Sequence, residues 1–146
     1  MTLIRPLNPK HDLDKVVALW CQASIDCHDF VPARFWQEAC AEMRDVYLPQ
    51  ADTWVMVEND SIFGFVSTLE HHIAALFVKP EYHNRGIGAA LLAHVLQGSD
   101  VATLDAYAAN TRALRFYERH GFRVTGEGTD EATGALEYFM EYRAGR

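Results

Sequence analysis

The segment from residue 73 to residue 98 constrains the fold of this chain more than any other part of its sequence. Residues 73–78 form an almost entirely apolar run, which is typical of a strand covered on both faces. A polar loop leads from this run to Gly86 and Gly88, and a helical pattern then continues to Gly98. The apolar residues of that helix are Ile87, Leu91, Leu92, Val95 and Leu96. A strand and a helix joined in this way need a sheet on which the helix can pack.

The part of the chain before this segment predicts one strand and two helices. Residues 2–7 alternate weakly between apolar and polar side chains, as a short strand does. A first helix is predicted to open at Asp12, and a second to begin at Pro32 and to stop at Pro49. Residues 26–31 are predicted to form the loop between these helices.

The remaining patterns complete a mixed α/β fold with more strands than helices. Further strands are predicted at residues 53–58, 62–70, 101–107, 123–125 and 136–142. Asn110 or Thr111 is expected to cap a last helix that runs through His120, and Gly121 is well placed to end it. The strands at 53–58, 62–70 and 73–78 follow each other directly, which predicts an antiparallel meander.

Length and composition favour one soluble domain that covers residues 1–146. Of the 146 residues, 49% are hydrophobic and 23% are charged, which matches globular usage and excludes a disordered or fibrous chain. No apolar run approaches the length of a membrane span and the N-terminus lacks a signal peptide, so we expect a cytoplasmic protein. The net charge of −7 argues against nucleic acid and anionic lipid as partners. We expect a monomer or a homodimer.

Cysteines and histidines give no pattern that predicts a disulfide framework or a metal site. Three cysteines, Cys21, Cys27 and Cys40, have neither zinc-ligand nor redox-pair spacing, so reduced thiols are expected. His71 and His72 are adjacent on a predicted strand and would face opposite sides of the sheet, which argues against a shared metal ion.

The glycine pair indicates a phosphate site. Gly86 and Gly88 stand at the start of a helix, where main-chain N–H groups are free and the helix dipole favours an anion. Arg85 adds a cation beside them. The dinucleotide fingerprint fails here because Leu91 takes the place of its third glycine, and no Walker A sequence is present.

The segment 77–89 resembles motif A of the GNAT superfamily, the acyl-coenzyme A dependent N-acetyltransferases, usually written Q/R-x-x-G-x-G/A. His83 stands at the Gln/Arg position, followed by Gly86 and Gly88. Residues 110–122 resemble motif B of the same family, which is carried by Asn110, Phe116, Tyr117, Gly121 and Phe122. The element order matches the GNAT fold over essentially the whole chain, and the chain is most similar to small stand-alone bacterial enzymes. That fold implies a mixed sheet that splays between its fourth and fifth strands.

The resemblance implies acetyl-coenzyme A as the co-substrate, with no metal, and assigns residues to it. The main chain of Phe77, Val78 and Lys79 is expected to pair with the pantetheine arm. Asn110 is expected to contact the same arm near the opening of the sheet. The diphosphate is expected at Arg85, Gly86, Ile87, Gly88 and Ala89. Whether His83 makes the contact that Gln or Arg would make is left open, and Arg112, Arg115 and Arg119 are candidates for the 3′-phosphate.

Two residues are predicted to carry the chemistry. A lysine amine has a pKa near 10.4, so at neutral pH it needs a base or a desolvating site before it attacks a thioester. Asp105 lies where some GNAT branches have a Glu base, with Glu70 or water as the alternatives. Tyr117 matches the usual general acid, which protonates the departing thiolate.

The predicted function is acetyl transfer to a primary amine, with a protein lysine favoured as acceptor. Acetylation of a small amine such as a polyamine or an amino sugar, and a non-catalytic coenzyme A-binding domain, are the alternatives. The lip of the acceptor cleft is expected to come from residues 26–31 and the turn at 70–72. Asp29 and Glu70 would meet an ammonium group there, and Phe30 its methylene stem.

Overall fold

The computed structural model describes residues 2–145, so Met1 and Arg146 of the predicted domain lie outside the described residues. Its strands are β1 Leu3–Pro6, β2 Asp52–Glu58, β3 Ser61–Leu69, β4 His72–Val78, β5 Val101–Tyr107, β6 Phe122–Thr129 and β7 Leu136–Arg143. Its helices are α1 Pro9–Cys27, α2 Ala33–Glu42, α3 Ile87–Leu96 and α4 Thr111–Arg119. The mixed α/β class and the element order predicted from the sequence are confirmed.

All seven strands belong to one sheet with the order β1-β2-β3-β4-β5-β7-β6. The strands from β1 to β4 pair antiparallel with their neighbours, and β7 pairs antiparallel with both β5 and β6. The pair β4–β5 is parallel and is held by one bridge, between His72 and Thr103. The Thr103 N–H also donates to the His71 carbonyl at 2.9 Å. Beyond that bridge the two strands separate, which confirms the predicted splay.

Two apolar cores cover the two faces of the sheet. Val55 and Val57 face the core built with α1, whereas Met56 faces the core built with α3 and α4, because successive strand residues point to opposite faces. The α1 core also contains Val16, Val17, Leu19, Met43 and Phe65. The opposite core contains Val66, Leu91, Leu92, Leu104, Leu114, Phe122 and Met140. At the C-terminal end of β4, Gly88 of α3 lies beside Val78 of β4 and Phe116 of α4, so these three elements meet there.

The start of α1 was predicted wrongly. The helix begins at Pro9, since the Asn8 side chain caps it by accepting the Lys10 N–H at 3.1 Å. Asp12 lies inside the helix, where its carboxylate accepts the Asn8 N–H at 2.7 Å and binds Arg5 at 2.6 Å. The Arg5 hydrogen bond holds the pKa of Asp12 below its usual value. Asp12 thus stabilises the helix start without being its cap.

Three other boundaries differ from the prediction. The helix α1 continues through Cys27, so only the second part of the segment 26–31 is loop. Pro49 does not stop the second helix, because a π-helical segment, Met43–Tyr47, widens it and a last turn, Leu48–Gln50, follows. The strand β6 extends to Thr129, past Gly126 and Gly128, which have low strand propensity. The Phe139 ring lies against both glycines from β7.

Candidate active site

The loop between β4 and α3 forms an open main-chain cradle. Gly86 is the N-cap of α3 and has a φ of +78°, a left-handed conformation that favours glycine. The first main-chain hydrogen bond of the helix joins Ala90 N–H to the Gly86 carbonyl at 3.0 Å, so the preceding N–H groups lack a helical partner. A Cβ added at Gly86 would meet no atom within 4 Å. This cradle fits a phosphate group.

A cavity of about 670 Å³, called here the first cavity, lies against this cradle. Of the residues predicted to bind the cofactor, the ones that line it are Phe77, Val78, Gly86, Ile87, Gly88, Ala89 and Asn110. Lys79 and Arg85 are not part of its lining. The Lys79 N–H donates to the Phe63 carbonyl at 2.8 Å, and the Arg85 guanidinium lies 5.3 Å from the centre of the Tyr82 ring.

The His83 side chain, in the loop between β4 and α3, contacts both β4 and α4. Its Nε2 lies 2.8 Å from the Val78 carbonyl oxygen, and its Nδ1 lies 2.7 Å from a guanidinium nitrogen of Arg112. A carbonyl oxygen can only accept, so Nε2 carries the proton and Nδ1 accepts from Arg112. The side chain at the unusual motif position therefore makes two specific contacts.

A second cavity, of about 540 Å³, opens on the other side of the splay. Asp105 is in its lining. The second cavity shares five lining residues with the first cavity: Leu76, Phe77, Asn110, Ala113 and Tyr117. The two cavities therefore meet where β4 and β5 separate, so that two bound molecules could touch there.

Tyr117 is the phenol at this junction. The residue is buried, and burial raises the pKa of its hydroxyl above the usual value. No hydrogen bond to the hydroxyl is formed by another residue of the described chain. Tyr117 therefore stays protonated over the neutral range and can donate to a group in either cavity.

One wall of the second cavity is acidic. Asp105, Asp130 and Glu137 line it from β5, the β6–β7 loop and β7. Burial raises the pKa of Glu137, and the charges of Asp105 and Asp130 raise it further. Asp130 accepts the Tyr107 hydroxyl at 2.5 Å and the Thr133 hydroxyl at 3.0 Å. A cation in this cavity would relieve the repulsion among these carboxylates.

The opposite wall is aromatic. The His28 ring lies 5.0 Å from that of Tyr107 and 5.1 Å from that of Trp36, and Phe30 packs at 5.7 Å. Burial lowers the pKa of His28, although the nearby Ser24 carbonyl acts in the other direction. The Asn110 amide nitrogen lies 3.4 Å from His28 Nε2, while its oxygen caps α4 by accepting the Ala113 N–H at 3.2 Å. A methylene chain could lie along these rings.

The sequence did not single out His28, Asp130 or Glu137 as site residues. Asp130 and Glu137 come from the terminal hairpin and lie outside both motifs, and His28 was included only as part of the loop 26–31. Phe30 packs on the rings of His28 and Tyr107, two residues of the second cavity's lining. Glu70 lies at the closed end of the β4–β5 pair and is part of neither lining. The lip of the acceptor cleft at residues 26–31 and 70–72 stays a prediction.

Within residues 2–145, no group of three or more His, Cys, Asp or Glu side chains is placed to hold a metal ion. No helix of that same range is long and apolar enough to cross a membrane.

Comparisons with known proteins agree with this geometry. Residues 49–124 match the model of the acetyltransferase (GNAT) domain. The chain is 32% identical to the peptidyl-lysine N-acetyltransferase YiaC of Escherichia coli, over 91% of this chain and 92% of that protein. The solution structure of apo YjaB from Escherichia coli has a TM-score of 0.85 and 30% identity, covering 97% of both chains.

A more distant structure shares the fold. It is the PaiA N-acetyltransferase of Thermoplasma acidophilum in complex with coenzyme A, with a TM-score of 0.81, 19% identity, and coverage of 98% of this chain and 99% of that one. The chain belongs to the GNAT family, as its two motifs indicated. It is an acetyl-coenzyme A dependent N-acetyltransferase.

Proposed function

We propose that this enzyme acetylates the side-chain amine of lysine in proteins or peptides, with coenzyme A lodged in the first cavity and lysine in the second. The observation that carries this proposal is the meeting of the two cavities at Tyr117, with an acidic and an aromatic wall on the acceptor side. The relatives YiaC and YjaB, at 32% and 34% identity, are named peptidyl-lysine N-acetyltransferases, which supports the same acceptor.

The first cavity suits coenzyme A in both shape and chemistry. The cradle at Gly86 offers free N–H groups at a helix N-terminus, which suit the diphosphate. Leu76 and Val78 lie beyond the β4–β5 bridge, where β4 no longer pairs with β5. The pantetheine amides can pair with β4 there in place of β5. The Val78 carbonyl already accepts from His83, and the Lys79 N–H already donates to the Phe63 carbonyl of β3, so fewer main-chain groups remain for the pantetheine arm than the motif alone predicts.

The acceptor side suits an ammonium group on a methylene chain. Asp105, Asp130 and Glu137 attract the charge, and the rings of Trp36, Tyr107 and His28 can pack along the stem. In the proposed reaction Asp105 takes a proton from the ammonium, directly or through water, and the free amine attacks the thioester carbonyl carbon. The carbon–sulfur bond then breaks, and the Tyr117 hydroxyl gives its proton to the sulfur. The new amide nitrogen loses its second proton to the Tyr117 phenolate, directly or through water, which restores the hydroxyl.

The proposal is tested by incubating the enzyme and acetyl-coenzyme A with a mixed pool of proteins and lysine peptides. Mass spectrometry should find acetyl groups on lysines well above the level produced by the Tyr117→Phe variant. Polyamines and amino sugars are assayed in parallel by release of the free thiol. If a small amine turns over rapidly while no lysine exceeds the background of the variant, the lysine assignment is wrong and a small amine is the substrate.

A further inference from the structure

The arginine beside the glycine pair does not face the cavity in which phosphates are expected. The Arg85 guanidinium lies over the Tyr82 ring at 5.3 Å, and that ring stacks on Phe63 at 3.9 Å. The Tyr82 ring is part of the lining of the first cavity, whereas Arg85, which rests on it, is not. The residue that sequence motifs would choose as the phosphate cation is therefore engaged elsewhere.

Arg112 borders the cavity instead. It lies in the first turn of α4 and lines the first cavity together with Gly86 and Gly88. His83, three residues before Gly86, accepts one of its N–H groups at 2.7 Å. The positive charge of Arg112 also reaches the opposite wall, where it lowers the pKa of the Cys27 thiol against the larger effect of burial, which raises it. A guanidinium has five N–H groups, so the others remain for an anion.

We infer that Arg112, held by His83, is the side-chain cation that binds the coenzyme A diphosphate, and that His83 is its positioning residue. This inference rests on the proposed function, which puts coenzyme A in the first cavity. His83 is fixed by donating to the Val78 carbonyl at 2.8 Å, so it ties the end of β4 to α4. In this chain the cation for the diphosphate would therefore come from α4, across the cavity, and not from the loop that carries the glycine pair.

Calorimetry with coenzyme A separates the two arginines. We expect Arg112→Gln to raise the dissociation constant about tenfold or more, since a charge-assisted hydrogen bond is lost. Arg85→Gln should raise it less, and Arg34→Gln, an exposed arginine on α2 paired with Glu38, should not change it. Equal affinity in Arg112→Gln and wild type, or a larger loss in Arg85→Gln, would overturn the inference.

Variants of His83 test its dependence on Arg112. His83→Leu loses both hydrogen bonds and should raise the dissociation constant and the KM for acetyl-coenzyme A, with kcat nearly kept. His83→Gln can both donate and accept, so it should restore affinity. In the Arg112→Gln background, His83→Leu should have no further effect. Additive losses in the double variant would show that His83 acts independently of Arg112.

The group that Arg112 binds is identified with 3′-dephospho-coenzyme A. Because the inference assigns the diphosphate, the loss in Arg112→Gln should be the same with this ligand as with coenzyme A. A loss that disappears would assign Arg112 to the 3′-phosphate and overturn the inference. If the wild-type protein binds neither ligand, the proposed function fails; if it binds both and Arg112→Gln binds them equally well, only the inference fails.

Discussion

At the scale of single residues, Tyr117 is a buried phenol that two cavities reach. Burial raises its pKa, so the hydroxyl keeps its proton well above neutral pH. Tyr117→Phe keeps the ring and removes only the proton donor. We expect kcat to fall about 10- to 1,000-fold with coenzyme A affinity nearly unchanged. Steady-state kinetics and calorimetry measure both, and wild-type turnover in the variant would reduce Tyr117 to a packing residue.

The pH dependence of Tyr117 follows from the direction of its shift. An ordinary phenol loses its proton near pH 10. Because the folded protein raises this pKa, kcat of the wild-type enzyme should show no decrease from loss of the acid below about pH 10. A decline that begins near pH 8 and is absent from Tyr117→Phe would contradict this assignment.

Asp105 is predicted to be the base, and its surroundings make that prediction testable. It lines the acceptor cavity, and its carboxylate lies 3.8 Å from the His72 imidazole. Asp105→Asn should lower kcat/KM near neutral pH, with a loss that shrinks as pH rises and the amine loses its proton unaided. Asp105→Glu should keep part of the activity. A pH–rate profile identical to wild type would show that Asp105 is not the base.

Motif B led directly to Asn110 and Tyr117, and Asp105 was predicted from its position on the strand that precedes this motif. The sequence could not show where the Arg85 guanidinium lies, because its position depends on a side-chain contact with the Tyr82 ring. Nor could it pair His83 with Arg112, which is 29 residues away along the chain. This contact depends on how the loop before α3 and the first turn of α4 approach each other in space.

At the scale of elements, the N-terminus of α3 is the feature on which we expect coenzyme A binding to depend most. Gly86 and Gly98 flank this helix with similar φ angles of +78° and +72°, and a Cβ at either would meet nothing within 4 Å. Alanine at each position should therefore cost a similar amount of stability, roughly 1–2 kcal/mol. Only Gly86→Ala should also weaken coenzyme A binding, by about tenfold, or roughly 1.4 kcal/mol.

The control in this pair is Gly98→Ala, which carries the same backbone strain at the other end of the helix. Calorimetric titration of both variants, together with their melting temperatures, separates strain from phosphate binding. Equal coenzyme A affinity in the two variants would remove the α3 N-terminus from the binding site.

Element types were predictable from periodicity, whereas several ends were not. Asp12 looked like a cap because it precedes the first apolar residues of α1, but the signal at Asn8 and Pro9 determines the start. The second half of β6 was not predicted because Gly126 and Gly128 have low strand propensity. The Phe139 ring that covers both glycines comes from the next strand. In both cases the residue that decides the boundary lies outside the pattern that defines the element.

At the scale of the whole molecule, His28 joins the end of α1 to α2, β5 and the cap of α4. Burial lowers its pKa, so the folded protein resists the proton that the unfolded chain takes up near pH 6.5. The stability from this group is present above about pH 6.5 and is lost as pH falls below that value. The melting temperature should therefore decrease as the pH falls from about 7 to about 5.5, a range in which an imidazole titrates.

A non-titrating replacement tests this explanation. His28→Phe keeps an aromatic ring, and its melting temperature should depend less on pH than that of the wild-type protein. His11→Phe, on the exposed side of α1, should keep the wild-type dependence. The same slope in His28→Phe and wild type would show that other groups cause the acid sensitivity.

The single bridge between β4 and β5 has a consequence for how the enzyme holds together during turnover. The sheet consists of a four-stranded half and a three-stranded half, and a ligand that hydrogen-bonds to the free edge of β4 extends the first half toward the second. Coenzyme A bound there as proposed would be a structural component as well as a reactant. Release of product would then loosen the junction between β4 and β5, and amide hydrogen exchange at the C-terminal ends of these strands should slow when coenzyme A is bound.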